Sequence, residues 1–137
     1  MAKDLYHDVV KQALINDGWT ITDDPFYFSV GEVNMRIDIG AERIIAAEKG
    51  TTKIAVEVKS FISQSPVNDF HAALGQYELY EIAMSDHEPE RILYLAVPQE
   101  AYNEFFQRPL IQKVIRLRNL KLLLYQPENE NYIVWIK

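Results

Sequence analysis

Apolar residues recur at helical spacing from Lys3 to Asp17: Leu5, Val9, Ala13 and Ile15 fall on one side, Val10 and Leu14 widen the stripe, and Gly18 supplies a stop. The period then shortens to two. Trp19 to Thr22 alternates like a half-buried strand, and Asp23-Asp24-Pro25 breaks it at a turn. Phe26 to Val30 and Glu32 to Ile39 read as two further strands joined tightly around Gly31, a hairpin. Glu42 to Glu48, rich in isoleucine and alanine, fits a strand or a short helical turn. Lys49-Gly50-Thr51-Thr52 is a turn, and Lys53 to Lys59 is the clearest strand in the chain.

Pro66 stands where a first helical turn tolerates it, and Phe70, Ala73, Leu74, Tyr77 and Tyr80 carry a helix to about Met84. Asp86 to Pro89 is a loop and Arg91 to Val97 a buried strand. A helical stretch opens at Pro98 and runs through Phe106, with an extension kinked at Pro109 reaching toward Arg118. Leu120 to Tyr125 and Tyr132 to Ile136 close the chain as strands around a turn at Pro127-Glu128-Asn129. This order predicts an α/β fold, a mixed sheet covered by helices.

Length changes the picture little: 137 residues with 48% hydrophobic content make one domain over 1–137 with a single core. No run is long and apolar enough for a membrane span, and the Met-Ala-Lys-Asp-Leu start lacks the layout of a secretory signal, so the expected location is the cytoplasm. The absence of cysteine excludes disulfide frameworks, thiolate zinc sites and cysteine nucleophiles together. His7, His71 and His87 lie on different elements without metal-ligand spacing, and no Gly-rich phosphate loop occurs. A net charge of −6 argues against non-specific coating of nucleic acid. The one basic stretch, Arg108 to Lys121, is either a solvated helix face or a contact for phosphate or an acidic partner.

In Ala55-Val56-Glu57-Val58-Lys59 the strand period puts Glu57 and Lys59 on one face and Val56 and Val58 on the other. A carboxylate and an ammonium on an otherwise apolar strand are costly to bury unless they pair or bind something. Asp38 follows another apolar segment and meets Glu57 if the two strands are neighbours. Two carboxylates with a backbone carbonyl such as that of Val58 suit Mg²⁺ or Mn²⁺, with Lys59 orienting water or stabilising phosphate charge. That is the chemistry of metal-assisted phosphodiester hydrolysis; the competing reading is a surface ion pair. On the following helix Gln76 and Tyr80, four apart, share a face from which both reach Lys59 or a phosphate.

These residues resemble the PD-(D/E)XK nuclease superfamily: Asp38, Glu57, Lys59, Gln76 and Tyr80 match its acid, its acid-x-Lys and its Gln-x-x-x-Tyr in order, with Ile37 in place of the motif's Pro. Its first-helix acid falls nearest His7 or Asp8, with Asp4 a turn earlier. More closely, the chain resembles the XisH family of fdxN-element excision-controlling factors of cyanobacteria. Lys3-Asp4-Leu5-Tyr6-His7, Asp17 to Thr22, Ile45 to Gly50, Val56 to Phe61, Ala73 to Tyr77 and Phe105 to Arg108 carry that likeness. It implies a restriction-endonuclease-like mixed β-sheet flanked by helices. It also implies an accessory role beside a site-specific recombinase and a companion protein of the XisI type, with DNA as a further partner. The alternative is an active Mg²⁺- or Mn²⁺-dependent DNA endonuclease. A partner or a homodimer would then supply the basic surface that this acidic chain lacks.

Overall fold

In a computed structural model the described residues, 6–26, 28–30, 33–35 and 44–137, form eight strands and four helices. Helix α1 (His7–Asn16) turns Val10, Ala13 and Leu14 inward. It stops at Gly18, whose φ of 98° is a glycine conformation and where a Cβ would also press to 3.2 Å from the Lys49 side chain. Strand β1 (Thr20–Asp23) follows, then the antiparallel hairpin of β2 (Phe28–Val30) and β3 (Val33–Met35). The second hairpin strand was expected to reach Ile39; residues 36–43, Asp38 among them, lie outside the described residues, as do Asp4 and Gly31.

The ambiguous Ile-Ala stretch is strand β4 (Ile44–Lys49), paired antiparallel with both β1 and β5 (Thr52–Val58). Its Ile45, Ala46 and Ala47 are fully buried. Two ladder neighbours, absent from any local window, override alanine's helical preference. Helix α2 (Pro66–His87) starts under a Ser65 cap that accepts from Asn68 N at 3.2 Å, and runs nearly a turn beyond the expected end at Met84. Strand β6 (Arg91–Pro98) leads to α3 (Gln99–Glu104) and α4 (Pro109–Arg118). These are two separate helices and not one kinked helix. Pro109 lacks an N–H, so it sits in α4's first turn, and it holds Arg108 extended at φ −63°, ψ 139°. Strands β7 (Leu122–Gln126) and β8 (Asn129–Ile136) end the chain, β8 starting earlier than the expected Tyr132.

The main sheet runs β1-β4-β5-β6-β7-β8, with parallel pairs β5/β6 and β6/β7 in its middle and antiparallel pairs elsewhere. Parallel neighbours require crossovers, and α2 and the α3–α4 pair provide them. The period of two sorts the sheet's side chains. Ala55, Leu93, Leu95, Val97, Leu122 and Leu124 pack with Phe70, Ala73, Tyr77 and Tyr80 of α2 and with Phe105 and Phe106. Ile54, Val56, Val58, Tyr94, Ala96 and Leu123 pack on the other side with Val10 and Leu14 of α1. Each fully buried Val, Leu, Ile or Phe among them contributes roughly 1.5–3 kcal/mol. Among the described residues no helix is long and apolar enough to cross a membrane.

Candidate functional site

Glu57 lies two residues after Ala55 on β5, so it projects toward α2. Its strand neighbours are Ile44 on β4 and Leu95 on β6, and its side chain is 0% exposed. Lys59, just past the strand end, projects the same way and is 9% exposed. Its Nζ stands 3.4 Å from Glu57 Oε2. That is longer than the 2.7–2.9 Å typical of a charge-assisted hydrogen bond. A closer partner holds the ammonium: it donates to Gln76 Oε1 at 2.5 Å. Gln76 follows Ala73 by three residues and precedes Tyr80 by four, placing it on the edge of α2's buried stripe, where an amide reaches inward from a half-buried position.

Three of the sequence-predicted residues, Glu57, Lys59 and Gln76, are therefore joined. Tyr80 is buried in the core one turn further along the same stripe. Val58 points its side chain to the α1 side, and its backbone lies between Glu57 and Lys59. Asp38 lies outside the described residues. Among those described, no cluster of three or more His, Asp or Glu residues is placed to hold a metal. The described donor set for a hard cation is thus the Glu57 carboxylate with the adjoining backbone.

The backbone beneath Lys59 is held by a residue that sequence reading missed. Lys59 N donates to Ala96 O at 2.9 Å, continuing the parallel ladder, whose next donor would be the nitrogen of Pro98. Proline has no N–H, so the Lys59 carbonyl loses its ladder bond. Tyr125 replaces it from β7, donating its hydroxyl to Lys59 O at 2.7 Å. A tyrosine in a buried strand gives no local sign of this; the signal is Pro98, legible only with the β5/β6 register known. Tyr77, one of the residues that set the helical spacing of α2, is fully buried; its hydroxyl donates to Leu93 O at 3.1 Å and accepts from Lys121 N at 3.3 Å. Burial, together with the nearby Glu81, Tyr94 and Glu57, raises its pKa well above the usual phenol range.

Beyond Lys59, Phe61 adopts φ 53°, an unusual conformation for a bulky residue, and stacks edge-on against Phe106 at 5.3 Å. A cleft of about 720 Å³ opens there at the C-terminal ends of the parallel strands, lined by Ser60, Phe61, Gln99, Arg108 and Tyr125 among others. Glu57, Lys59 and Gln76 do not line it.

The two first-helix candidates separate. Asp8 is exposed. His7 is 0% exposed, with Nε2 2.8 Å from Asp24 Oδ1, while Lys11 Nζ takes Oδ2 at 2.8 Å. Burial pushes the Asp24 carboxyl up, but the hydrogen bonds and charge of Lys11 and His7 outweigh it and hold its pKa below the ordinary value. A buried arginine also escaped sequence reading. Arg91 donates to Ile54 O at 2.9 Å, pairs with Glu88 at 3.1 Å and stacks over Phe26 at 4.8 Å.

A family model described as XisH protein matches residues 1–133. A crystal structure of an XisH family protein from Nostoc punctiforme superimposes with a TM-score of 0.89 at 46% identity, covering 98% of this chain and 100% of that one. A crystal structure of an fdxN element excision controlling factor protein from Anabaena variabilis gives 0.88 at 47% identity, covering 96% and 98%. No curated protein matches the chain.

Proposed function

The chain belongs to the XisH family, and from that premise we propose that it is an accessory factor controlling site-specific excision of a DNA element. The observation that carries this reading is the 47% identity, over nearly the whole chain, to the fdxN element excision controlling factor protein of Anabaena variabilis. It acts in the cytoplasm with a site-specific recombinase and an XisI-type companion protein, and its net charge of −6 suits protein partners better than extensive phosphate contact.

The frame is of the PD-(D/E)XK, restriction-endonuclease-like kind. The β5–Lys59–α2 arrangement supports this: an acid and a lysine two residues apart, the lysine hydrogen-bonded to a helix carrying Gln76 and then Tyr80. In that frame Glu57, Asp38 and the Val58 carbonyl would be the oxygen donors for Mg²⁺ or Mn²⁺. When bound, such an ion would supply Lewis-acid activation of a phosphate and its attacking water. Lys59, held by Gln76, places a positive charge beside the carboxylate.

The test is excision of a plasmid-borne element, reconstituted with the recombinase and companion protein. Excision dependent on this chain supports the proposal; equal excision without it overturns it. The joined Glu57, Lys59 and Gln76 favour a second reading, active endonuclease. It predicts Mn²⁺ binding by calorimetry that Glu57→Ala abolishes, and cleavage of supercoiled, branched or single-stranded DNA that Lys59→Ala abolishes. Absence of Lys59-dependent cutting, with and without the companion protein, leaves the accessory role.

A further inference from the structure

We infer that the outer faces of α2 and α4 form a two-fold interface between copies of this chain, α2 of each lying against α4 of the other. Among the described residues seven large apolar side chains are exposed, and five are on these two helices: Val67, Leu79 and Ile82 on α2, Leu110 and Leu117 on α4. The last four range from 56% to 70% exposed. Singly scattered apolar residues need no explanation; a concentration on two linked helices does.

Helix α2 is apolar on both sides. Its inward stripe of Phe70, Ala73, Tyr77, Tyr80 and Met84 is buried against the sheet. On the opposite side Ala72, Gly75, Leu79 and Ile82 follow one another at spacings of three, four and three, all exposed. An exposed apolar face opposite a buried one is the kind of face that a partner covers. Gly75 adds a separate indication. Glycine weakens a helix interior, and among the described residues nothing within 4 Å would meet a Cβ there, so no contact among them requires it. Its use is to admit the close approach of another chain.

Charge identifies the occupant. Helix α2 carries Asp69, Glu78, Glu81 and Asp86 and no Lys or Arg, while α4 carries Lys113, Arg116 and Arg118 and no acid. Each apolar face thus has a rim of one sign, and the two signs are opposite. The Glu78–Arg118 ion pair, at 3.2 Å, links the helices within one chain. A two-fold axis passing between them sets α2 on the partner's α4 twice over, acid rim on basic rim, with Leu79 and Ile82 facing the Leu110/Leu117 side. Pairing α2 with its own copy would bring Glu78 and Glu81 against like charges. This inference stands independently of the excision reading.

Sedimentation equilibrium of the full chain at micromolar concentration tests it. The wild type is expected to be a dimer, and Ile82→Glu and Leu117→Glu each to weaken association by roughly tenfold or more, with the far-UV circular dichroism of the folded chain unchanged. Because the chain has no cysteine, Ile82→Cys and Leu117→Cys proteins can be mixed and treated with a short bismaleimide; cross-links are expected in the mixture and not in the Ile82→Cys protein alone. A monomeric wild type, a dimer indifferent to both glutamate variants, or cross-linking of Ile82→Cys to itself in preference to the mixture would each overturn the proposal.

Discussion

Asp24 sits between two bases from one helix, His7 Nε2 and Lys11 Nζ, each at 2.8 Å. Lys59 instead sits between a carboxylate at 3.4 Å and an amide at 2.5 Å. In the first cluster both carboxylate oxygens are engaged at hydrogen-bonding distance by residues one helical turn apart, and the result fastens α1 to the turn after β1. In the second, the closer of these two contacts on the ammonium is the neutral one, so Gln76 holds the charge more tightly than Glu57 does. Buried charge thus serves two ends here, a fastener near the N-terminus and a positioned acid–lysine pair beneath α2.

The largest expected effect separates these ends. Glu57→Ala or Lys59→Ala breaks a buried pair and is expected to lower unfolding free energy by about 3–5 kcal/mol in urea titrations. Replacing both, Glu57→Leu with Lys59→Met, is expected to restore stability or exceed the wild type by about 1–4 kcal/mol, since charges kept for use are a liability in a core. A double variant as unstable as the singles would make this cluster a fastener too.

Asp24→Asn is expected to cost about 1–3 kcal/mol at neutral pH. Because the folded carboxyl titrates below its ordinary value, its contribution is present above the unfolded pKa and is lost as pH falls through the folded one. The gap between wild type and Asp24→Asn in urea unfolding should therefore close toward strong acid; a gap that stays constant would remove the ionised carboxylate from the explanation.

Tyr125→Phe leaves the Lys59 carbonyl without its donor, at an expected cost of about 1–2 kcal/mol in thermal unfolding. Smallest in stability is Gln76→Ala, expected to cost under about 1 kcal/mol because the side chain is half-buried. It should nevertheless reduce excision, whereas Asp24→Asn should not. Equal effects of the two on excision would erase the distinction between the clusters.

Much of this was legible in the sequence. The strand period placed Glu57 and Lys59 on one face, the i, i+4 spacing put Gln76 and Tyr80 on one side of a helix, and the strands of the main sheet other than β4 followed from periodicity and turn residues. What escaped depends on register between distant segments. Tyr125 matters because Pro98 interrupts a ladder between β5 and β6. His7 became a fastener because α1 lies against the turn at Asp24, seventeen positions away. β4 was ambiguous because isoleucine and alanine suit either structure until two neighbouring strands decide. The separation of α3 from α4 was signalled by Pro109, which marked the place but not whether the chain bends or stops.

The proposed role of the Glu57–Lys59 pair is to serve excision and not the fold. Its most direct test is element excision from a reporter plasmid with the Glu57→Leu/Lys59→Met protein, after confirming a melting temperature at or above that of the wild type. Excision reduced at least tenfold with the fold intact is the predicted result; excision at the wild-type level by that stable double variant would contradict it.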